Sequence, residues 1–102
     1  MFAVYNVKPA DRARIDAALD PKTPLGNVVS RQSVSVRDAA ALGLKDLGTL
    51  VLIEGEEGAV KASSELFAFA EKLPAERAEE ARRAFKAQED DVASGVGLIF
   101  GP

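Results

Sequence analysis

Gly48 to Leu73 reads G-T-L-V-L-I-E-G-E-E-G-A-V-K-A-S-S-E-L-F-A-F-A-E-K-L. Its first part, Leu50 to Ile53, is an unbroken apolar run of strand length. An acidic glycine turn follows, Glu54 to Gly58, and then an alanine-rich segment with apolar residues at helical spacing. The order predicts a buried strand, a tight loop and a helix that folds back onto a sheet. In that helix, about Glu57 to Leu73, the positions Ala59, Val60, Ser63, Leu66, Phe67 and Ala70 fall on one face.

Before this unit, Phe2 to Val7 alternates with β-branched and aromatic residues and reads as a first strand. Pro9 opens a helix over about Ala10 to Leu19, with Ile15, Ala18 and Leu19 as its stripe. Pro21 to Asn27 is a loop, and Val28 to Ser35 alternates as a second strand at a sheet edge. Ser35-Val36-Arg37-Asp38 has the form of a capping box for a short helix over 36–42, closed by Gly43. After the opening unit, Pro74 starts a helix to about Ala93, whose stripe of Ala78, Ala81, Phe85 and Val92 is interrupted by Gln88. Val96 to Phe100 reads as a last strand.

The resulting order is β-α-β-(short α)-β-α-α-β. With the short helix set aside and the last two helices merged, it becomes β-α-β-β-α-β, the split arrangement of ferredoxin-like α+β folds: a four-stranded antiparallel sheet with helices on one face. The 102 residues make a single domain, 1–102. An uncovered sheet face bearing Ala3, Tyr5 and Val7, or their alternates, is expected to pair with a second copy, so a homodimer is expected.

Composition excludes more than it selects. With no cysteine there is no thiolate nucleophile, disulfide or cysteine zinc site, and with no histidine the usual base near neutrality is missing. The 13 basic and 16 acidic residues give a net charge of −3, and the scattered basic ones form no footprint for a phosphate backbone, so nucleic acid is not expected as a partner. No apolar run approaches the roughly 20 residues that span a bilayer. The start, M-F-A-V-Y-N-V-K, lacks the basic opening and length of a signal peptide, and a cytoplasmic location without membrane contact is expected. Scarce Asn, Gln and Met beside abundant Ala, Arg and Glu lean toward a thermophile or a GC-rich genome.

Three groups are candidates for chemistry. Glu54 to Gly58 has the glycines of an anion cradle but neither a Walker nor a dinucleotide glycine pattern. Its carboxylates suit a helix first turn, or a cation, with Glu54 and Glu56 as ligands. Glu89-Asp90-Asp91 lies in the expected last turn of the long helix, against its dipole, where Glu89 and Asp90 are candidate ligands for a hard cation such as Mg²⁺. Pairing with Arg82, Arg83 or Lys86 one turn back is the competing explanation. Arg31, Ser33 and Arg37 could hold a carboxylate or phosphate, or simply solvate an edge strand.

Val36 to Lys45 (V-R-D-A-A-A-L-G-L-K), Leu50 to Ala62 (L-V-L-I-E-G-E-E-G-A-V-K-A) and Val96 to Gly101 (V-G-L-I-F-G) together resemble a group of small single-domain archaeal proteins of unknown function. That resemblance implies an archaeal source and a compact α/β fold, and no mechanism. The middle stretch also resembles the strand–helix element of KH-type RNA-binding domains, with Gly55-Glu56-Glu57-Gly58 at the place of their G-x-x-G clamp. Two glutamates between the glycines would repel the phosphates that such a clamp holds. The expected function is a non-catalytic module that self-associates and binds a protein or small ligand. A metal-assisted enzyme using clustered carboxylates and an RNA-binding protein are the alternatives.

Overall fold

The computed structural model describes the backbone of residues 1–100 and the side chains of residues 1–88. Four antiparallel strands, β1 (Phe2–Val7), β2 (Ser33–Asp38), β3 (Thr49–Glu54) and β4 (Glu71–Lys72), form one sheet in the order β2-β3-β1-β4. The helices are α1 (Arg14–Ala18), α2 (Pro24–Ser30), α3 (Glu57–Leu66) and α4 (Ala75–Phe100), with 3₁₀ turns at Pro9–Asp11 and Ala39–Leu42. The fold is α+β. None of the described helices is long and apolar enough to cross a membrane.

The two central strands explain the apolar run in the opening stretch. Side chains alternate across a strand, so Val51 and Ile53 join Ala3, Tyr5 and Val7 on one face, under Ile15, Val29, Val60 and Phe67. Leu50, Leu52 and Val4 occupy the other face, beneath Leu73, Ala78, Ala81 and Phe85. A strand buried on both faces carries no polar alternation. The expectation of helices on one face only is therefore corrected: α1, α2 and α3 cover one side, and α4 with the Ala39–Leu42 turn covers the other. The face that was to bind a second copy is occupied by the chain itself.

Several elements differ from their sequence reading. Val28 and Val29 lie in α2, because Thr23 caps that helix through its hydroxyl, which accepts from the Gly26 amide at 3.0 Å, and Pro24 supplies a preset φ at its start. The edge strand begins later, at Ser33, so Ser35 to Asp38 are strand residues and not a capping box. Only Ala39–Leu42 turns, closed by Gly43 at φ 81°, the left-handed conformation that favours glycine. α3 stops at Leu66, where Phe67 turns inward to stack on Tyr5 with centroids 5.0 Å apart, and Leu73 donates its amide to the Val4 carbonyl. Finally, Val96 to Phe100 belongs to α4 and forms no strand. The fourth strand is the two-residue β4, placed between α3 and α4.

Candidate functional site

Glu54 ends β3, and its side chain points to the α4 side of the sheet, in phase with Leu50 and Leu52. There it meets two cations one helical turn apart, as i and i+4 residues do. Arg82 Nε donates to Glu54 Oε2 at 3.0 Å, and Lys86 Nζ lies 2.7 Å from Oε1. The Lys86 contact, together with Arg82 and against some desolvation, holds the Glu54 carboxyl below its usual range. The Arg82 guanidinium also sits 5.2 Å from the Phe2 ring centroid. Both carboxylate oxygens are engaged, and a metal ion bound there would have to displace two positive charges.

The other predicted residues do not converge on Glu54. Glu56 occupies the position before α3, is exposed, and makes no side-chain cap. Its amide instead donates to the Gln32 side-chain carbonyl at 3.1 Å. A Cβ at Gly55 would overlap that same Gln32 oxygen, so this glycine leaves the room in which Gln32 ties β2 to the loop. Glu57 pairs with Lys61 at 3.0 Å along the helix. The loop thus forms a polar seam between two elements, and its carboxylates do not cap the helix through their own oxygens. The side chains of Glu89 and Asp90 lie outside the described residues. Their backbone is within α4, which continues to Phe100, so they are not in its last turn.

Arg31 follows α2 as its cap residue, and Ser33 opens β2. Ser33 and Arg37 share one face of the strand but stand four residues apart, about 13 Å at strand rise. Arg37 is already engaged: Nε donates to Gln88 Oε1 at 3.0 Å and Nη1 to the Val36 carbonyl at 2.8 Å. Gln88 in turn donates to the Ala41 carbonyl at 3.2 Å. The polar residue that broke the apolar stripe of α4 is thus the link from that helix to the edge strand. Arg77 adds a further tie, a two-pronged contact with Asp46 at 3.0 and 3.1 Å that lowers the Asp46 pKa.

Two features escaped the sequence reading. Tyr5 and Ser63 share a buried hydrogen bond of 2.7 Å, and Ser63 Oγ donates to the Val60 carbonyl at 2.5 Å. Burial raises the Tyr5 pKa, a rise that the Ser63 contact partly offsets. The expected uncovered face bearing Tyr5 is in fact buried, and nothing local announces the tyrosine's partner 58 residues away. The second feature is a cleft of about 650 Å³ where β4 gives way to α4, lined by Phe2, Val4, Lys72, Pro74, Ala78 and Glu79 among others. It lies at the junction between β4 and α4, where Pro74 marks the break but no single motif signals a cleft.

Among the described residues there is no group of three or more His, Cys, Asp or Glu that could hold a metal ion. No family model matches the chain, and neither a curated protein nor a solved structure matches it.

Proposed function

We propose that this chain is a non-catalytic binding module that self-associates and takes a small ligand, or a short segment of a partner protein, in the cleft beside Pro74. The cleft carries the reading. Its volume of about 650 Å³ falls in the range of small-molecule sites, and its walls are mainly apolar, with Lys72 and Glu79 as charged groups. That lining suits an apolar body bearing one polar end. The charged residues that a catalyst would need, Glu54, Arg82, Lys86, Asp46 and Arg77, are meanwhile spent in tying α4 to the rest of the molecule.

The strand order β2-β3-β1-β4, the antiparallel pairings and the helices after β1 and β3 support a ferredoxin-like arrangement extended by α4. Kinship with small archaeal proteins, and a thermophilic source, rest on the three stretches quoted above and remain a proposal of the same kind. A cytoplasmic setting is proposed from the cysteine-free composition. The metal-assisted alternative would require Glu54 to exchange Lys86 and Arg82 for Mg²⁺.

Amide chemical shifts of the labelled protein, titrated with a panel of small aromatic carboxylic acids and amines, test the cleft. The expected result is a set of shifts confined to Phe2–Val4 and Leu73–Glu79, lost in Ala75→Phe, which places a ring in the opening. Shifts that fall elsewhere, or that survive Ala75→Phe, would overturn it.

A further inference from the structure

Among the described residues β2 is paired on one side, with β3, and at its other edge with none. The alternation of hydrogen bonds across the sheet tells which of its backbone groups face outward. The Gly55 amide donates to the Met1 carbonyl at 3.0 Å and the Met1 ammonium to the Gly55 carbonyl at 3.3 Å, so odd-numbered residues of β1 bond β3. Continuing that pattern through the registers, Ser33, Ser35 and Arg37 bond β3. Val34, Val36 and Asp38 present their N–H and C=O groups to the open edge. This strand carries no proline or lysine to discourage pairing, and among its six residues the charges are Arg37 and Asp38.

We infer that β2 pairs antiparallel with β2 of a second copy, across a two-fold axis perpendicular to the sheet, with Ser35 opposite the partner's Ser35. This inference rests on the self-association proposed above and names its surface. A two-fold of this kind keeps each side of the sheet continuous, so the axis must pass a residue and not the gap between two. Centring it on Val34 would set Val36 opposite the partner's Gln32, an apolar side chain against an amide, and centring it on Arg37 would set two arginines face to face. Centring it on Val36 would place Val34 against Asp38, an apolar side chain against a carboxylate.

The Ser35 register has none of these conflicts. Val34 falls opposite the partner's Val36, twice, on the side where both already lean on the first core cluster and remain half-exposed. The two pairs exchange four main-chain hydrogen bonds. Arg37 covers the Val36 carbonyl through Nη1, but a carbonyl oxygen accepts two bonds, so the inter-strand one is still available. Asp38 falls opposite the partner's Gln32, which precedes the strand. Asp38 is exposed and already meets Arg12 at 3.2 Å and Thr49. No like charges meet across this axis, since Arg37 falls opposite the partner's Ser33 and Asp38 opposite the partner's Gln32.

The chain has no cysteine, so an introduced one reports its neighbour without background. Residues facing each other in a non-hydrogen-bonded antiparallel pair have Cα atoms about 4.5 Å apart, inside the disulfide range. Ser35→Cys should form a disulfide-linked dimer on mild oxidation. Ser33→Cys should not, because its counterpart would lie about 13 Å away along the strands. The double variant Ser33→Cys with Arg37→Cys should link again. Sedimentation velocity of the unaltered chain should show a concentration-dependent dimer, and Val34→Pro, which removes one outward amide, should raise its dissociation constant at least tenfold while leaving the circular dichroism spectrum intact. A dimer in which Ser33→Cys links as fast as Ser35→Cys, or neither links, would overturn the edge and leave self-association standing. A strict monomer up to millimolar concentration would overturn both.

Discussion

The two faces of the sheet are sealed by different means. Under α1, α2 and α3 the contact is between large side chains: Phe67 stacks on Tyr5, Phe69 sits 5.8 Å from Phe67, and Tyr5 and Ser63 pair in the interior. Under α4 the described helix contributes two alanines and one large ring, Phe85. The difference is made up at the rim, where Glu54, Asp46 and Arg37 each reach a side chain of α4. A face packed by aromatic rings resists small changes at its edge. A face packed by alanines brings the helix close to the sheet and leaves its hold dependent on charge.

Substitutions should separate the two. Phe67→Ala is expected to be the most damaging, at about 4 kcal/mol, since it opens a cavity and removes a stacked ring. Phe85→Ala should cost about 3 kcal/mol, with no ring partner to lose. Urea titrations of both variants measure the pair, and equal losses would break the contrast.

Glu54→Gln should come next, at roughly 1–2 kcal/mol near neutrality, because Arg82 and Lys86 lose the charge they share. The sign of its pH dependence follows from the lowered folded-state pKa. The stabilisation is present above the ordinary carboxylate range and is lost as pH falls through the folded value. Native and Glu54→Gln proteins should therefore converge in stability in acid. A gap that persists at pH 2 would show that the carboxylate charge is not what holds α4.

The smallest expected effect sharpens the other face. Tyr5→Phe should cost about 1 kcal/mol, since Ser63 keeps its bond to Val60. Tyr5 is also the only tyrosine in a chain without tryptophan, so ultraviolet titration reads it alone. Its raised pKa favours the folded state up to the ordinary tyrosine range, and that contribution fades as pH rises from there through the folded value. Ionisation should be delayed past that range and coincide with loss of secondary structure. Ionisation at the ordinary value in a folded protein would contradict the burial.

The same contrast separates what could be read from the sequence from what could not. β1 and β3 were legible because central strands declare themselves by β-branched and apolar runs. The run Leu50-Val51-Leu52-Ile53 also contained the correction, since apolar residues at both phases require both faces to be covered. Val28 and Val29 misled by β-propensity, while the decisive signal was two polar and cyclic residues upstream, Thr23 and Pro24. Phe67 and Phe69 continued a helical stripe that the chain in fact abandons at Leu66, because the rings gain more from packing on Tyr5 and Arg14 than from another turn. Of the candidate site, single residues could be named but not their partners. Glu54 finds its cations 28 and 32 residues away, and pairings over such distances leave no local trace.

Nuclear Overhauser contacts between the Phe85 ring and the methyl groups of Val4, Leu50 and Leu52 test most directly whether α4 seals the second face. Contacts from the ring to this cluster are predicted, absent from Ala3, Val51 and Ile53. Methyl groups of Leu50 and Leu52 without contacts to α4, in a protein that binds an apolar dye on that face, would contradict the account.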